Sequence, residues 1–311
     1  MKKVFIDGSA GTTGLRIHQR LAGRADVEVL TLPEETRKDP AARKAMLNQA
    51  DIAFLCLPDD AAREAVAMIE NPNTVVLDTS TAHRTLEGWC YGFPELSARR
   101  EEEVKKAKRI AVPGCHASGF IALVAPLIAA GALPKDALLT CHSVTGYSGG
   151  GKKMIADYQG DDVDPLLKAP RQYGLTQQHK HLKEMAAVTG LTNLPVFCPI
   201  VSDFYSGMAV TVPLFASQLN QGFGINEIKE IYKKQYQSGL VSYVEAADEA
   251  GFYSAAGLSN LDRMEVSVFG NEERILLTAR YDNLGKGASG AALECMNLVL
   301  GVPAETGLEI E

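Results

Sequence analysis

A cysteine at position 115 and histidines at 179 and 181 carry the strongest chemical signal in this chain. Cys115 follows Pro113-Gly114 and precedes an apolar run from Phe120 toward Ala130, so it stands where a short strand, Arg109 to Val112, gives way to a helix. Unsatisfied backbone N–H groups and the helix dipole favour negative charge at such a junction, which lowers a thiol's pKa and makes a nucleophilic thiolate available. The competing reading is a buried thiol acting as a small hydrophobe, as most free cysteines do. A cysteine nucleophile needs a base nearby, and His179-Lys180-His181, opening a helical pattern that runs through Val188, supplies two candidates. An HxH pair can also ligate a metal, but no third ligand motif accompanies this one, and no metal is expected.

The elements that must position these residues begin with a nucleotide fingerprint. Residues 3–7 read as a buried strand, followed by Gly8-Ser9-Ala10-Gly11-Thr12-Thr13-Gly14 and a helical pattern through Leu21. In a strand–glycine turn–helix of this kind the first glycine permits the tight turn and the second lets the backbone approach a pyrophosphate. The third lets the helix pack close to the strand. The spacing here is GxxGxxG, where GxGxxG is usual. Strands at Val27–Leu32, 51–58 and Thr74–Leu77 alternate with helices at Ala41–Gln49 and Ala61–Glu70, the pattern of a doubly wound parallel sheet. Ligands lie beyond the carboxyl ends of such strands, which places Leu57, Pro58 and Ser80 at the cofactor. Glu34 stands where an acid would favour NAD, while Arg37 and Lys38 suit the 2′-phosphate of NADP, so the residues alone leave the choice open.

Beyond Cys115, strands at Ala137–Val144, Val196–Val201 and Met208–Phe215, a helix at Ile225–Tyr236 and a hairpin of Met264–Phe269 with Arg274–Tyr281 predict an α+β region with a mostly antiparallel sheet. A helix over Ala291–Leu300 follows. The expected division is a Rossmann domain over 1–114, completed by the C-terminal helix 287–311, and a catalytic and oligomerisation domain over 115–286. Gly146 to Lys152 matches GxxxxGK, but Lys153 replaces the hydroxyl residue that would hold Mg²⁺ in a P-loop. A flexible glycine loop carrying Lys152 toward an anionic substrate is the expectation instead.

Composition excludes several partners. A net charge of −7 argues against nucleic acid or an anionic membrane surface. Six scattered cysteines without a CxxC pair resemble neither a zinc site nor a disulfide framework. The opening apolar run stops after three residues, too short for a signal peptide, and the longest, Phe120 to Pro134, is interrupted and too short to span a membrane. A soluble, cytoplasmic protein is expected.

Several motifs then converge on one family. Pro113-Gly114-Cys115-His116-Ala117-Ser118-Gly119 resembles the signature around the catalytic cysteine of the N-acetyl-γ-glutamyl-phosphate reductases. Tyr91-Gly92-Phe93-Pro94-Glu95-Leu96 resembles that family's YGLPEL, Asp78 to Arg84 its DLSADFR, and His179-Lys180-His181 with Glu184 its HRHxPE, without the proline. Asp282-Asn283-Leu284-Gly285-Lys286-Gly287-Ala288-Ser289-Gly290 is similar to its DNLVKGAAGQA. The motifs run from position 8 to about 298 and match the shorter form of the enzyme.

The resemblance implies NADPH-dependent reduction of an acyl phosphate through a thioester on Cys115, with release of phosphate. It implies an imidazole that takes the thiol proton and later returns a proton to the carbonyl oxygen. His181 is favoured because Glu184 lies one helical turn on, with His179 the alternative. It adds Gly149 and Asn283 to the cofactor contacts, Arg84 and Lys152 for the phosphate, and Arg171 for a substrate carboxylate. A homodimer or homotetramer acting on a small-molecule substrate is the expected state. The rivals are an aspartate-semialdehyde dehydrogenase, an α-aminoadipyl-phosphate reductase and a non-catalytic Rossmann redox sensor.

Overall fold

A computed structural model describes all 311 residues. They form two compact units. Residues Met1–Pro94, Arg99–Gly114 and Ala288–Leu308 make the first; Glu95–Ala98, Cys115–Gly287 and Glu309–Glu311 make the second.

The first unit is built from β1 (Lys2–Asp7), α1 (Thr12–Leu21), β2 (Val27–Leu30), α2 (Pro40–Gln49), β3 (Ile52–Leu55), α3 (Asp59–Ala67), β4 (Val75–Asp78), β5 (Cys90–Tyr91), α4 (Ala98–Lys106) and β6 (Arg109–Ala111). Its six strands lie in the order β2-β1-β3-β4-β6-β5, every pairing parallel. All four residues of β3 and of β4 are buried, apolar throughout except for Asp78 at the end of β4, as in a parallel strand covered on both faces. Alternation along β1 divides its side chains between two cores. Val4 and Ile6 join Ile17, Leu21, Phe54 and Leu77, while Phe5 joins Leu47, Ala53, Leu55 and Val76. α2 starts at a strong signal: Asp39 accepts from the N–H groups of Ala41 and Ala42, and Pro40 occupies the first turn.

The second unit contains α5 (Cys115–Ala129), β7 (Thr140–Gly146), α6 (Gly151–Gln159), β8 (Arg171–Gln172), α7 (His181–Thr189), β9 (Val196–Ser202), β10 (Met208–Phe215), α8 (Ile225–Gln235), β11 (Val241–Tyr243), β12 (Met264–Gly270) and β13 (Arg274–Tyr281). Its seven strands run β11-β12-β13-β10-β7-β9-β8. The pairings β12-β13, β13-β10, β10-β7 and β9-β8 are antiparallel, as the runs of strands suggest; β11-β12 and β7-β9 are parallel, so the sheet is mixed. The last helix, α9 (Gly290–Leu300), returns to the first unit, where Ala292, Leu293 and Met296 join the Val4 core. No helix is long and apolar enough to cross a membrane.

α5 begins five residues earlier than its apolar run suggests, and it carries Pro126 inside. Proline has no N–H, so the carbonyl of Ala122 loses its helical donor. The Tyr236 hydroxyl donates to that carbonyl at 2.6 Å, and the Tyr232 hydroxyl donates to the carbonyl of Leu123. Two buried tyrosines from the α8 segment thus let an almost wholly buried helix tolerate a proline.

Candidate active site

In the first unit the chain turns from β1 into α1 at Gly8. That residue has φ +87°, and a Cβ there would lie 2.2 Å from the carbonyl oxygen of Cys56, so only glycine fits. A Cβ on Gly14 would meet the carbonyl of Gly8 at 2.5 Å, so the helix packs directly against the turn. Gly11 caps α1 with no side chain over the first N–H groups. Beside this turn lies a cavity of about 560 Å³. Gly8, Ser9, Ala10, Gly11, Leu57 and Pro58 line it, with Thr31, Glu34, Arg37 and Lys38 at the β2 end. Thr12, Thr13 and Gly14 form the start of α1 outside that lining, and Ser80 is spent on Asp78, to which it donates at 2.7 Å.

One buried lining pair carried no sequence signal beyond its residue types. Arg43 of α2 reaches both carboxylate oxygens of Asp7 at the end of β1, at 2.9–3.2 Å. The size of the cavity, the glycine cradle and the three arginine and lysine side chains suit a dinucleotide phosphate cofactor. Arg84 has a different position from its expected phosphate role. It is buried and donates to the carbonyls of Thr79 and Val112 at 2.9 Å each.

The second unit opens on Cys115, the first residue of α5, partly exposed among otherwise buried neighbours. The structure gathers three histidines around the start of this helix. His116 lies 5.8 Å from His179 and 5.7 Å from His181, ring centre to ring centre, and the latter two are 4.7 Å apart. His116 is wholly enclosed: Nδ1 meets the Ser143 hydroxyl and Nε2 the Tyr173 hydroxyl, both at 2.7 Å. Burial, and secondarily His179, push its pKa down to about 3, so it is a neutral structural imidazole. Neither His116 nor Tyr173 carries a role legible in the sequence; their proximity to the HxH segment in the fold marks them.

The two expected acid/base candidates differ in their duties. His179 accepts at Nδ1 from the backbone N–H of His181 at 3.2 Å, which ties that nitrogen to the start of α7. Burial and then the charge of Lys180 hold its pKa below the ordinary value. His181 is buried within the first turn of α7, and Glu184 is buried one turn further along. Tyr173 is held above the ordinary phenol range by burial, and next by the negative charge of Cys115.

Other expected contacts divide. The Gly146–Lys153 stretch is not a flexible loop: a short 3₁₀ turn over Tyr147–Gly150 leads straight into α6, held by Tyr147 stacked on Tyr158 at 4.5 Å. Lys152 is exposed on the first turn of that helix. Gly149 is also exposed, against the amide of Asn283, which donates to Ser148 and accepts from the N–H of Gly207. Arg171 donates to the Tyr158 hydroxyl at 3.0 Å and lies over that ring. Two motifs matched for their sequence alone meet as a buried ion pair, Lys286 with Glu95 at 2.6 Å.

Comparison with known proteins agrees with this geometry. Residues 3–107 match the family model "Semialdehyde dehydrogenase, NAD binding domain", and residues 115–283 match "Semialdehyde dehydrogenase, dimerisation domain". An N-acetyl-gamma-glutamyl-phosphate reductase of Chelativorans sp. is 46% identical, over 96% of this chain and 98% of its own length. N-acetyl-gamma-glutamyl-phosphate reductase 2 of Nostoc sp. is 43% identical over 98% and 99%. Among solved structures, aspartate semialdehyde dehydrogenase II of Vibrio cholerae superposes with a TM-score of 0.72 at 15% identity, covering 97% of this chain and 98% of that one. At that identity the likeness concerns the fold.

Proposed function

The chain belongs to the N-acetyl-γ-glutamyl-phosphate reductase family, and on that premise we propose that Cys115 is the nucleophile through which it works. The activity is NADPH-dependent reduction of N-acetyl-L-glutamyl 5-phosphate to N-acetyl-L-glutamate 5-semialdehyde, with release of phosphate, in arginine biosynthesis. The observation that carries the residue assignment is the partly exposed thiol at the first residue of a buried helix, beside a cluster of histidines.

The thiolate attacks the acyl carbon, the carbon–oxygen bond to phosphate breaks, and a thioester remains on Cys115. NADPH, when bound at the first unit's glycine turn, would supply the hydride that reduces the thioester carbon. The resulting thiohemiacetal collapses as its hydroxyl proton passes back to the His181 imidazole and the carbon–sulfur bond breaks, which releases the aldehyde and restores the thiolate. Of the three histidines, His116 has both ring nitrogens engaged and stays neutral, and His179 spends Nδ1 on the backbone. His181, with Glu184 one helical turn on to orient it, is assigned the thiol proton and its return to the carbonyl oxygen. Backbone N–H groups at the start of α5 stabilise the oxyanion, an effect worth about 2.7–4 kcal/mol per donor in well-studied cases.

In the first unit, Gly8, Ser9, Ala10, Gly11, Leu57 and Pro58 hold the cofactor, and Arg37 and Lys38 receive the 2′-phosphate. Gly149 and Asn283 complete the cofactor contacts and Ser80 supports them. Lys152 binds the substrate phosphate and Arg171 its carboxylate; Arg84 serves through the backbone it holds. The enzyme works in the cytoplasm as a homodimer or homotetramer of the second unit's sheet.

Mass spectrometry of the protein mixed with N-acetylglutamyl phosphate in the absence of NADPH tests this reading. A thioester adduct on the Cys115 peptide is expected. Protein that stays unmodified there while turning over when NADPH is added would remove the covalent route. Phosphate-dependent NADP⁺ reduction assayed with N-acetylglutamate semialdehyde and aspartate semialdehyde identifies the substrate.

A further inference from the structure

The hydroxyl of Tyr281 sits across the first helical hydrogen bond of α5. It donates to the carbonyl oxygen of Cys115 at 2.5 Å and accepts from the N–H of Gly119 at 3.0 Å, the two groups that an i,i+4 helical bond joins. Tyr281 is the last residue of β13 and has no solvent exposure. Its position is fixed on the far side by Asp282, whose carboxylate accepts from Ser206, Leu284 and Gly285 at 2.7–2.8 Å.

The sequence around α5 is cut to admit this hydroxyl. A Cβ on Gly119 would lie 2.7 Å from it and 2.6 Å from Val210 Cγ2. Glycine is a weak helix former, and here its place in the fifth helical position is explained by that space. On the other side of the nucleophile, a Cβ on Gly287 would come within 3.1 Å of the Cβ of Cys115. Burial first, and the charge of Cys115 second, hold the Tyr281 phenol well above its ordinary range, so it remains a proton donor at every working pH.

We infer that Tyr281 is a positioning residue for the nucleophile: its hydroxyl fixes the first turn of α5 and polarises the Cys115–His116 peptide. This rests on Cys115 being the nucleophile, as proposed above. A hydrogen bond to the Cys115 carbonyl draws charge from that oxygen and makes the N–H at the other end of the same peptide, that of His116, a stronger donor. Both changes favour a thiolate and a developing oxyanion beside them. The titratable groups turned toward this corner are His116, Cys141, Tyr173, His179, His181 and Glu184; removing one hydroxyl leaves all of them in place.

The test is Tyr281→Phe in the full-length protein, with the alkylation rate of the Cys115 peptide followed by mass spectrometry as a function of pH. The inflection of that profile should move to higher pH, and kcat should fall about three- to ten-fold, the value of one hydrogen bond. KM for the acyl phosphate and the Kd of NADPH should stay unchanged. A merely structural hydroxyl would lower the melting temperature without moving the inflection, and wild-type values of both inflection and kcat would overturn the inference. Should the phenylalanine variant fail to fold, 3-fluorotyrosine placed at 281 retains the ring and offers a more acidic donor. The inflection should then move to lower pH, and an unchanged profile would count against us. Cys115→Ala separates the two levels: full turnover there refutes the nucleophile, whereas an inactive Cys115→Ala beside a normal Tyr281→Phe refutes the role of Tyr281 alone.

Discussion

The two units each present a helix start to which the proposed function assigns chemistry, and they build that start in opposite ways. α1 begins at glycines, has no side-chain cap, buries only Gly14, Ile17 and Leu21, and borders an open cavity. α5 begins at Cys115, is buried along nearly its whole length, and has a tyrosine hydroxyl lodged in its first turn. A large anionic ligand needs bare backbone and room, so side chains are deleted around α1. A covalent step needs one side chain held in one place, so neighbours are packed around α5. On the proposed assignment, the same end of the same element serves binding in one unit and bond-making in the other, and the residues around it decide which.

The largest effect should come from the proposed acid/base group, which opens α7 beside the packed start. His181→Gln is expected to lower kcat by about 10²–10⁴, the usual contribution of a positioned proton carrier, with NADPH binding unaffected. His179→Gln should cost far less, through the lost bond to the α7 backbone. Steady-state kinetics of the two variants side by side decide the assignment; a larger loss in the His179 variant would reverse it.

At the open start the sensitive position is Gly8. A methyl group there meets a backbone oxygen at 2.2 Å, in a conformation that side chains avoid. Left-handed backbone alone costs about 1–2 kcal/mol for an ordinary residue. Gly8→Ala should therefore weaken NADPH binding at least about ten-fold and lower the melting temperature. The pH profile of Cys115 alkylation should be unchanged, because the neighbours that a methyl group on Gly8 would meet, Cys56 and Leu57, belong to the first unit. Titration by NADPH fluorescence reads the first effect. An altered alkylation profile would show that the two helix starts are not independent.

The same contrast governs how much could be read from the sequence. The open start is written in local signals: strand, glycine spacing and helix follow one another within fourteen residues, and the parallel sheet follows from the β/α alternation. The packed start is local only at Pro113-Gly114-Cys115. Its histidines lie some 65 residues away, Tyr173 nearly as far, and Tyr281 across 166 positions, brought in by sheet register. Tertiary contacts of that kind leave no periodicity, so Tyr173 and Tyr281, and the enclosed setting of His116, became visible only in the fold. Short elements were lost for a related reason: β5, β8 and β11 have two or three residues each, too few to alternate. Lys152 shows the reverse error, since a run of glycines reads as a loop although Tyr147 and Tyr158 fold it into a helix start.

The smallest expected effect concerns cofactor choice at the edge of the open site. Arg37 and Lys38 line the β2 end of the cavity, both exposed, and Arg37 is paired with Glu34 at 3.2 Å. Exposed charges act through high-dielectric solvent and are individually weak, so neither arginine nor lysine alone should decide between NADPH and NADH. Replacing both, as Arg37→Ala with Lys38→Ala, removes two positive charges from the place where a 2′-phosphate would lie, and it leaves Glu34 unpaired to repel that phosphate. KM for NADPH should rise by about three- to ten-fold at low salt, and by less as ionic strength increases. KM for NADH, which has no phosphate there, should hold steady or fall. Equal losses with both cofactors would mean that the pair shapes the loop after β2 instead of reading the phosphate, and would shift the source of specificity to the buried Arg43–Asp7 pair behind it.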